Sequence, residues 1–180
     1  MIEQVSSRVV YQNAWMTVRE DDIVRADGSA GIYGVIDKPA SALIVPFEND
    51  GFWLVEQYRY TVGARCWEFP QGTMPDRADA EPAELARHEL AQETGLRAAR
   101  LRPAGRFYHA YGMSNQLCNM FLATELSRDP DAAAPDPEEI DLVAKWFPRD
   151  ELEAMLRDGR IVDLATIGAY GLLMLQERAG

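Results

Sequence analysis

The sequence predicts an α+β fold or a layered αβα sandwich, built as one domain. Strand-like runs fill the first third of the chain, and an acidic helical stretch then changes the period of the apolar residues. Strands return after this helix, and two further helices follow them. The 180 residues suffice for one domain with a proper core, and neither an internal repeat nor a linker divides them.

The strands are predicted from apolar runs that are bounded by turn residues. Residues 9–24 and 31–36 have strand character, and residues 26–28 between them carry a turn signal. Two apolar runs flank the Asn-Asp-Gly sequence at residues 49–51, which is a strong signal for a β-hairpin. The remaining strands are expected over residues 64–69, 101–109, 117–123 and 143–147.

The predicted helices span residues 82–94, 150–157 and 164–176. Pro82 suits the first turn of the first helix, and Gly95 suits the residue just past its end. Asp150, with Glu153 three residues later, resembles a capping box at the start of the second helix. The stretch 127–139 is rich in Pro, Asp and Ala, so we expect an exposed loop there.

Composition and charge exclude several classes of function. Hydrophobic residues make up 47% of the chain and charged residues 26%, and the net charge is -11. No Lys/Arg stripe exists to bind nucleic acid, although a bound divalent cation would still admit a small phosphorylated substrate. Neither a signal peptide nor a bilayer-spanning run is present, and Cys66 and Cys118 have the surroundings of buried thiols. We therefore expect a cytoplasmic protein without nucleic-acid or membrane partners.

The first predicted helix places acidic side chains on one face. Residues three and four apart lie on the same side of a helix, so Glu89, Gln92 and Glu93 share a face. Two neighbouring carboxylates repel each other, and a hard cation such as Mg²⁺ or Mn²⁺ relieves that repulsion. The spacing alone leaves two interpretations open, which are a metal site and a solvated helix face.

The residues around this helix resemble the signature of the Nudix hydrolase family. That signature is Gly, five residues, Glu, seven residues, and then Arg-Glu-aliphatic-x-Glu-Glu-x-Gly-aliphatic. Counted from Gly72 in the segment WEFPQG, the loop is two residues longer than in the family. The signature is matched at Glu89, Leu90, Glu93, Gly95 and Leu96. It is not matched at His88 (for Arg), Gln92 (for Glu) and Ala80 (for the first Glu), although Asp79 or Glu81 could shift into this last position.

The resemblance covers essentially the whole chain and is strongest to the ADP-ribose and nucleoside-diphosphate-sugar branch of the family. The segments QYRY at 57–60 and WEFP at 67–70 carry it. It implies a Nudix αβα sandwich with a mixed sheet between helices, formed by a single domain over 1–180. Within that domain, the antiparallel strands of 1–38 are expected to serve dimerisation and substrate contact, and 39–180 forms the Nudix core. A homodimer is therefore expected.

The resemblance also implies a divalent metal ion, Mg²⁺ or Mn²⁺, held by Glu89 and Glu93, which are also the expected catalytic residues. Further metal-site positions are the carbonyl of Gln71 and the side chain of Gln92, where a neutral amide stands in place of a carboxylate. Related enzymes use a glutamate from a late loop as a base or to position water. The matching residues are Glu138 and Glu139, for which the alternative is a pair of solvated loop acids.

Substrate contacts are implied by the same resemblance. Arg59 would hold a phosphate or ribose, with a surface salt bridge as the alternative, and Glu68 would hold a polar group of the substrate. Trp15 or Tyr33 would stack on the base, with a core or dimer contact as the alternative. The substrate-binding positions taken over from the branch are Arg59, Glu68, Gly72, Trp15 and Ser114.

The function implied is hydrolysis of the pyrophosphate bond of a nucleoside diphosphate sugar. ADP-ribose is the leading substrate, and the products are a nucleoside monophosphate and a sugar phosphate. One alternative is a Nudix hydrolase of dinucleoside polyphosphates. A second is a Nudix domain that binds a nucleotide or sugar nucleotide as a sensor, which the substitutions at Ala80, His88 and Gln92 favour.

Overall fold

The computed structural model describes residues 1–74, 80–132 and 140–179, which form a three-stranded sheet, a seven-stranded sheet and three helices. The strands are β1 (Glu3–Gln12), β2 (Thr17–Val24), β3 (Ala30–Asp37), β4 (Ser41–Glu48), β5 (Gly51–Arg59), β6 (Ala64–Glu68), β7 (Gln71–Gly72), β8 (Leu96–Tyr108), β9 (Leu117–Arg128) and β10 (Val143–Pro148). The helices are α1 (Pro82–Thr94), α2 (Arg149–Arg157) and α3 (Leu164–Ala179).

The N-terminal strands form an antiparallel meander in the order β1-β2-β3. Residues 9–24, predicted as strand throughout, are divided by a turn at Asn13. The side-chain Oδ1 of Asn13 accepts hydrogen bonds from the backbone N–H groups of Trp15 (2.8 Å) and Met16 (2.9 Å). Since this turn competes with strand pairing, the chain reverses and Trp15 is placed at the end of the sheet.

The larger sheet is mixed and has the order β10-β5-β4-β9-β8, with β6 paired to β5 and β7 paired to β4. The central strand β4 is parallel to β9, whereas its pairing with β5 is antiparallel. The predicted hairpin between β4 and β5 is confirmed. Its loop residues Asn49 and Asp50 have φ values of 50° and 53°, as the type I′ turns of tight hairpins require.

Strand β4 is buried on both sides, and this creates the layers of the fold. Leu43 and Val45 belong to an apolar cluster with α2 and α3, whereas Ala42 and Ile44 belong to a cluster with α1. Alternate residues of a strand point to opposite faces, so the sheet lies between α1 on one side and α2 and α3 on the other. The predicted α+β class and αβα layering are confirmed. None of the helices described here is both long and apolar enough to cross a membrane.

The bounds of the second helix differ from the prediction. Helix α2 begins at Arg149, and its N-cap position is Pro148, for which the described residues provide no side-chain cap. Asp150 therefore lies inside the first turn, where its carboxylate accepts a hydrogen bond from the backbone N–H of Glu151 (2.8 Å). The predicted capping box is wrong, because the strand before α2 runs directly into the helix.

Candidate functional site

A cleft of about 510 Å³ opens where the end of β6, the strand β7 and the residues before α3 meet. Residues 67–72 run from the end of β6 through β7, and we call them the glycine segment. Glu68, Gln71 and Gly72 of this segment line one wall of the cleft. Helix α1 contributes Glu89 to the cleft, and the turn between β1 and β2 contributes Trp15. Of the positions predicted from the sequence, the cleft brings together Trp15, Arg59, Glu68, Gln71, Gly72 and Glu89.

The carboxylates of α1 converge on the glycine segment. Glu89 and Glu93 are each only 4% exposed and Gln92 is 9% exposed, so this face of the helix is not a solvated one. The Oε2 atom of Glu93 accepts a hydrogen bond from the backbone N–H of Gln71 (3.0 Å). A Cβ atom at Gly72 would lie 2.4 Å from Oε2 of Glu89, so a larger residue at position 72 would displace this carboxylate. Glu93 is thus hydrogen-bonded to residue 71, and the carboxylate of Glu89 lies against residue 72.

This donor set suits a hard divalent cation. The described part of the chain contains no group of three or more His, Cys, Asp or Glu residues that could hold a metal ion. Mg²⁺, however, is usually bound by one or two carboxylates and keeps several water molecules, which substrate phosphates then replace. The buried carboxylates of Glu89 and Glu93, which contact the glycine segment, are therefore donors that fit a hard divalent cation.

Arg59 and Glu68 form an ion pair at the wall of the cleft. Nε and Nη2 of Arg59 donate to Oε1 of Glu68 at 2.9 and 2.7 Å. Burial raises the pKa of the Glu68 carboxyl, and the hydrogen bond from Arg59 opposes that rise. The guanidinium lines the cleft while it makes this ion pair. Because it has five N–H donors, it can bind a phosphate with those that Glu68 does not use. The ion pair of Arg59 with Glu68 is thus compatible with the predicted contact between Arg59 and a substrate phosphate.

Other predicted residues lie in different places. The described residues that line this cleft do not include Gln92, Glu93, Tyr33 or Ser114. Gln92 and Glu93 lie behind the cleft surface, on the buried face of α1. The Tyr33 hydroxyl donates to the carbonyl of Gly112 (2.9 Å), and Oγ of Ser114 accepts the backbone N–H of Gln116 (3.2 Å). Their predicted substrate contacts stay predictions. Glu138 and Glu139, the predicted late-loop acids, lie outside the described residues.

Several cleft residues were not predicted as site residues from the sequence. Lys38 comes from the connection between β3 and β4, Ser41 is the first residue of β4, and Asp163 directly precedes α3. Ser41 Oγ lies 2.9 Å from Nε2 of His109, which also lines the cleft. Burial lowers the pKa of His109 below its ordinary value, so the imidazole is neutral at pH 7. This part of the cleft is therefore polar and carries its positive charge on Lys38.

Both cysteines have buried thiols, and that of Cys118 is unreactive at neutral pH. Cys118 is buried, and burial raises the pKa of its thiol to about 11. Cys66 is also buried and has a free thiol. The sequence-based expectation of two buried thiols is confirmed, and the reactive form of Cys118, the thiolate, is not populated at neutral pH.

Comparison with known proteins covers both parts of the chain. The family model of the nucleoside diphosphate sugar hydrolase N-terminal domain matches residues 2–36, and that of the NUDIX domain matches residues 37–165. An ADP-ribose pyrophosphatase from Mycobacterium tuberculosis (strain ATCC 25618 / H37Rv) is 30% identical over 166 residues, which are 92% of this chain and 79% of that protein.

Two further relatives extend this comparison. A CMP-5'-(N-acetyl-N-hydroxy-3-aminopropyl)phosphonate hydrolase from Streptomyces rubellomurinus (strain ATCC 31215) is 30% identical over 169 residues, which are 92% of this chain and 78% of that protein. A crystal structure of an ADP compounds hydrolase superposes with a TM-score of 0.85 at 18% identity, and the match covers 99% of this chain and 95% of that one. At this identity, the superposition shows that the two chains share a fold.

Proposed function

This chain belongs to the Nudix hydrolase family, and we propose that it hydrolyses the pyrophosphate bond of a nucleoside diphosphate sugar, with ADP-ribose as its leading substrate. The observation that carries this proposal is the convergence of Glu89 and Glu93 on the glycine segment at the wall of the cleft. The relative named as an ADP-ribose pyrophosphatase, together with the match to the nucleoside diphosphate sugar hydrolase N-terminal domain, supports the substrate class.

Members of the family generally need a divalent metal ion, and we propose Mg²⁺ or Mn²⁺ here. Glu89 and Glu93 would hold the ion together with the carbonyl of Gln71, and Gln92 would contribute its neutral amide. Such an ion neutralises charge on the pyrophosphate and lowers the pKa of a bound water molecule. Glu138 or Glu139 would position the attacking water.

The remaining cleft residues would bind and orient the substrate. Arg59 would bind a phosphate oxygen, and its ion pair with Glu68 restricts the guanidinium to one direction. Trp15 is 46% exposed at the cleft, so its indole ring is available to stack on a nucleotide base. Lys38 adds a second cation for the phosphates. Gly72 supports the site by leaving space for the Glu89 carboxylate.

A second candidate function is nucleotide binding without turnover. It is favoured by Gln92, which is buried on the same helix face as Glu89 and Glu93 and adds no negative charge there. His88 stands where the family signature has an arginine, so the permanent cation of that position is missing here. An enzyme requires the metal for turnover, whereas a sensor would bind its ligand without turning it over.

The function is tested with purified protein and a substrate panel of three classes. The panel contains nucleoside diphosphate sugars including ADP-ribose, dinucleoside polyphosphates, and nucleoside triphosphates as the control class. Release of a nucleoside monophosphate from the first class, at a kcat/KM at least about tenfold above the second class, supports the proposal. Preferred hydrolysis of the dinucleoside polyphosphates would overturn the substrate assignment. Tight binding of ADP-ribose without any product would establish the sensor instead.

Gln92→Glu is expected to tighten Mn²⁺ binding by about tenfold, because it adds a negative oxygen ligand to a buried site. If the site is a weakened catalytic one, kcat should rise with the metal affinity. Isothermal titration with Mn²⁺ and steady-state kinetics measure the two effects. Gln116→Glu is the matched control, since it makes the same change at another buried glutamine, which lines the cleft. Equal effects of both substitutions would show that general charge, and not position 92, controls the metal site.

We also propose a homodimer that pairs through the N-terminal sheet. All ten residues of β1 are exposed, among them the apolar Val5 and Val9. Light scattering after gel filtration should give twice the chain mass of 20.2 kDa. Val9→Asp should shift the mass to that of the monomer, because it buries a charge in the interface. Ile140→Asp, at an exposed apolar residue outside this sheet, should leave the dimer intact. A wild-type protein that is monomeric at micromolar concentration would contradict the proposal.

A further inference from the structure

The start of α3 is fixed by a side chain that also faces the cleft. Asp163 directly precedes the helix, and its Oδ2 atom accepts hydrogen bonds from the backbone N–H (2.8 Å) and the hydroxyl (2.7 Å) of Thr166. The bond to the backbone is that of a helix N-cap. Asp163 also lines the cleft, so a capping residue lies at the wall of the proposed site.

The same carboxylate binds the glycine segment. Nε2 of Gln71 donates to Oδ2 of Asp163 (3.1 Å) and to Oε2 of Glu68 (3.0 Å). Both N–H groups of the amide are therefore used between two carboxylates. The amide oxygen cannot take the place of the nitrogen, because carboxylates only accept hydrogen bonds. This arrangement fixes the orientation of the Gln71 side chain.

A second bond from α3 reaches the glycine segment two residues earlier. The backbone N–H of Phe69 donates to Oγ1 of Thr166 (2.9 Å), and both residues are fully buried. Thr166 in the first turn of α3 and Asp163 just before it thus hold positions 69 and 71, on both sides of Pro70. One hydrogen bond on each side of a proline leaves the backbone of this segment little freedom to move.

The position of Gln71 in turn determines the surroundings of the carboxylates on α1. Its backbone N–H donates to Oε2 of Glu93, and Gly72, the next residue, lies against the carboxylate of Glu89. A displacement of Gln71 would therefore shift the contacts of both proposed metal ligands at once. Partners of metal ligands control the affinity of such sites by orienting the ligands.

We propose that Asp163 is a positioning residue for the hydrolytic site, and that it acts through the side chain of Gln71. This inference rests on the proposed metal-dependent function of the same cleft. It adds Asp163, the residue before α3 and 92 positions away from Gln71 in sequence, to the support of the metal site. A residue that merely capped α3 would change the stability of the helix without changing the metal site.

The test is a double-mutant cycle of Asp163→Ala and Gln71→Met. Gln71→Met removes the amide and keeps the backbone N–H that Glu93 binds. The readouts are the Kd for Mn²⁺, followed by electron paramagnetic resonance, and kcat and KM for ADP-ribose. Asp163→Ala is expected to raise the Kd for Mn²⁺ and to lower kcat by about 10- to 100-fold each, with a smaller effect on KM. In the Gln71→Met background, the same substitution should have little further effect, because the connection is already lost.

Two control variants separate positioning from stability. Asp163→Asn keeps an oxygen acceptor for Thr166 and Gln71, so it should restore most of the metal affinity and of kcat. Leu175→Gly weakens α3 at a 62% exposed position about three turns from Asp163. It should lower the melting temperature of the protein without changing the Kd for Mn²⁺ or kcat.

The outcomes distinguish this inference from the proposed function. Equal changes in metal affinity for Asp163→Ala and Leu175→Gly would overturn the inference, as would an Asp163→Ala effect of full size in the Gln71→Met background. If wild type binds Mn²⁺ but hydrolyses no substrate, the hydrolase proposal fails. The metal affinities of the same variants then still decide the role of Asp163. A wild-type protein that binds no Mn²⁺ would refute both.

Discussion

Glu93→Gln is expected to lower kcat/KM for ADP-ribose roughly a thousandfold, which corresponds to ~4 kcal/mol of transition-state stabilisation. The glutamine oxygen can still accept the hydrogen bond that Oε2 of Glu93 accepts from the backbone of Gln71. The local structure should therefore persist while the negative charge of a proposed metal ligand is lost. Steady-state kinetics at saturating Mg²⁺ measure the effect, and the melting temperature reports on the fold.

The control for this variant is Glu84→Gln. Glu84 lies on the same helix, and its side chain is exposed, so the substitution changes the net charge by the same amount outside the cleft. It should leave kcat/KM within about twofold of wild type, since exposed charges interact only weakly with distant groups. A Glu93→Gln enzyme as active as Glu84→Gln would remove Glu93 from the catalytic site.

Gly72→Ala is expected to reduce kcat about a hundredfold through a steric effect on Glu89. The added Cβ would lie 2.4 Å from Oε2 and 2.6 Å from Cδ of Glu89, so the carboxylate has to leave its position. The backbone at Gly72 is not in the left-handed region, so alanine can adopt its conformation without strain. Kinetics and Mn²⁺ binding should therefore change much more than the melting temperature.

Gly112→Ala is the matched glycine control. Among the described residues, no atom lies within 4 Å of a Cβ at this position, and its φ is also outside the left-handed region. The variant should match wild type in kcat and in metal affinity. If Gly72→Ala retained full activity, catalysis would not depend on the position of the Glu89 carboxylate beside the glycine segment.

Local signals in the sequence were sufficient for the helix that carries the proposed metal ligands. Helix α1 begins at Pro82 and ends just before Gly95, as predicted. Gly95 has the left-handed conformation (φ 65°) that favours glycine at a helix end. The face shared by Glu89 and Glu93 follows from helical geometry alone. The burial of that face does not, because it depends on the glycine segment packing against α1.

Contacts between distant parts of the chain could not be derived from the sequence. Asp163 and Thr166 have the spacing of a helix N-cap, but nothing in that spacing shows that Gln71 lies beside them. The short strand β7 was also missed, since two residues are too few for a periodic pattern. The capping box at Asp150 failed because Pro148 occupies the N-cap position.

The most direct test of the central claim follows the products of ADP-ribose hydrolysis by phosphorus NMR. The account predicts AMP and ribose 5-phosphate in equal amounts with Mg²⁺ or Mn²⁺, no products after addition of a chelator, and recovery when the metal is restored in excess. Product formation that persists in the presence of the chelator would contradict the metal-dependent mechanism. Intact ADP-ribose at saturating metal, under conditions where the protein binds it, would contradict catalysis by this site.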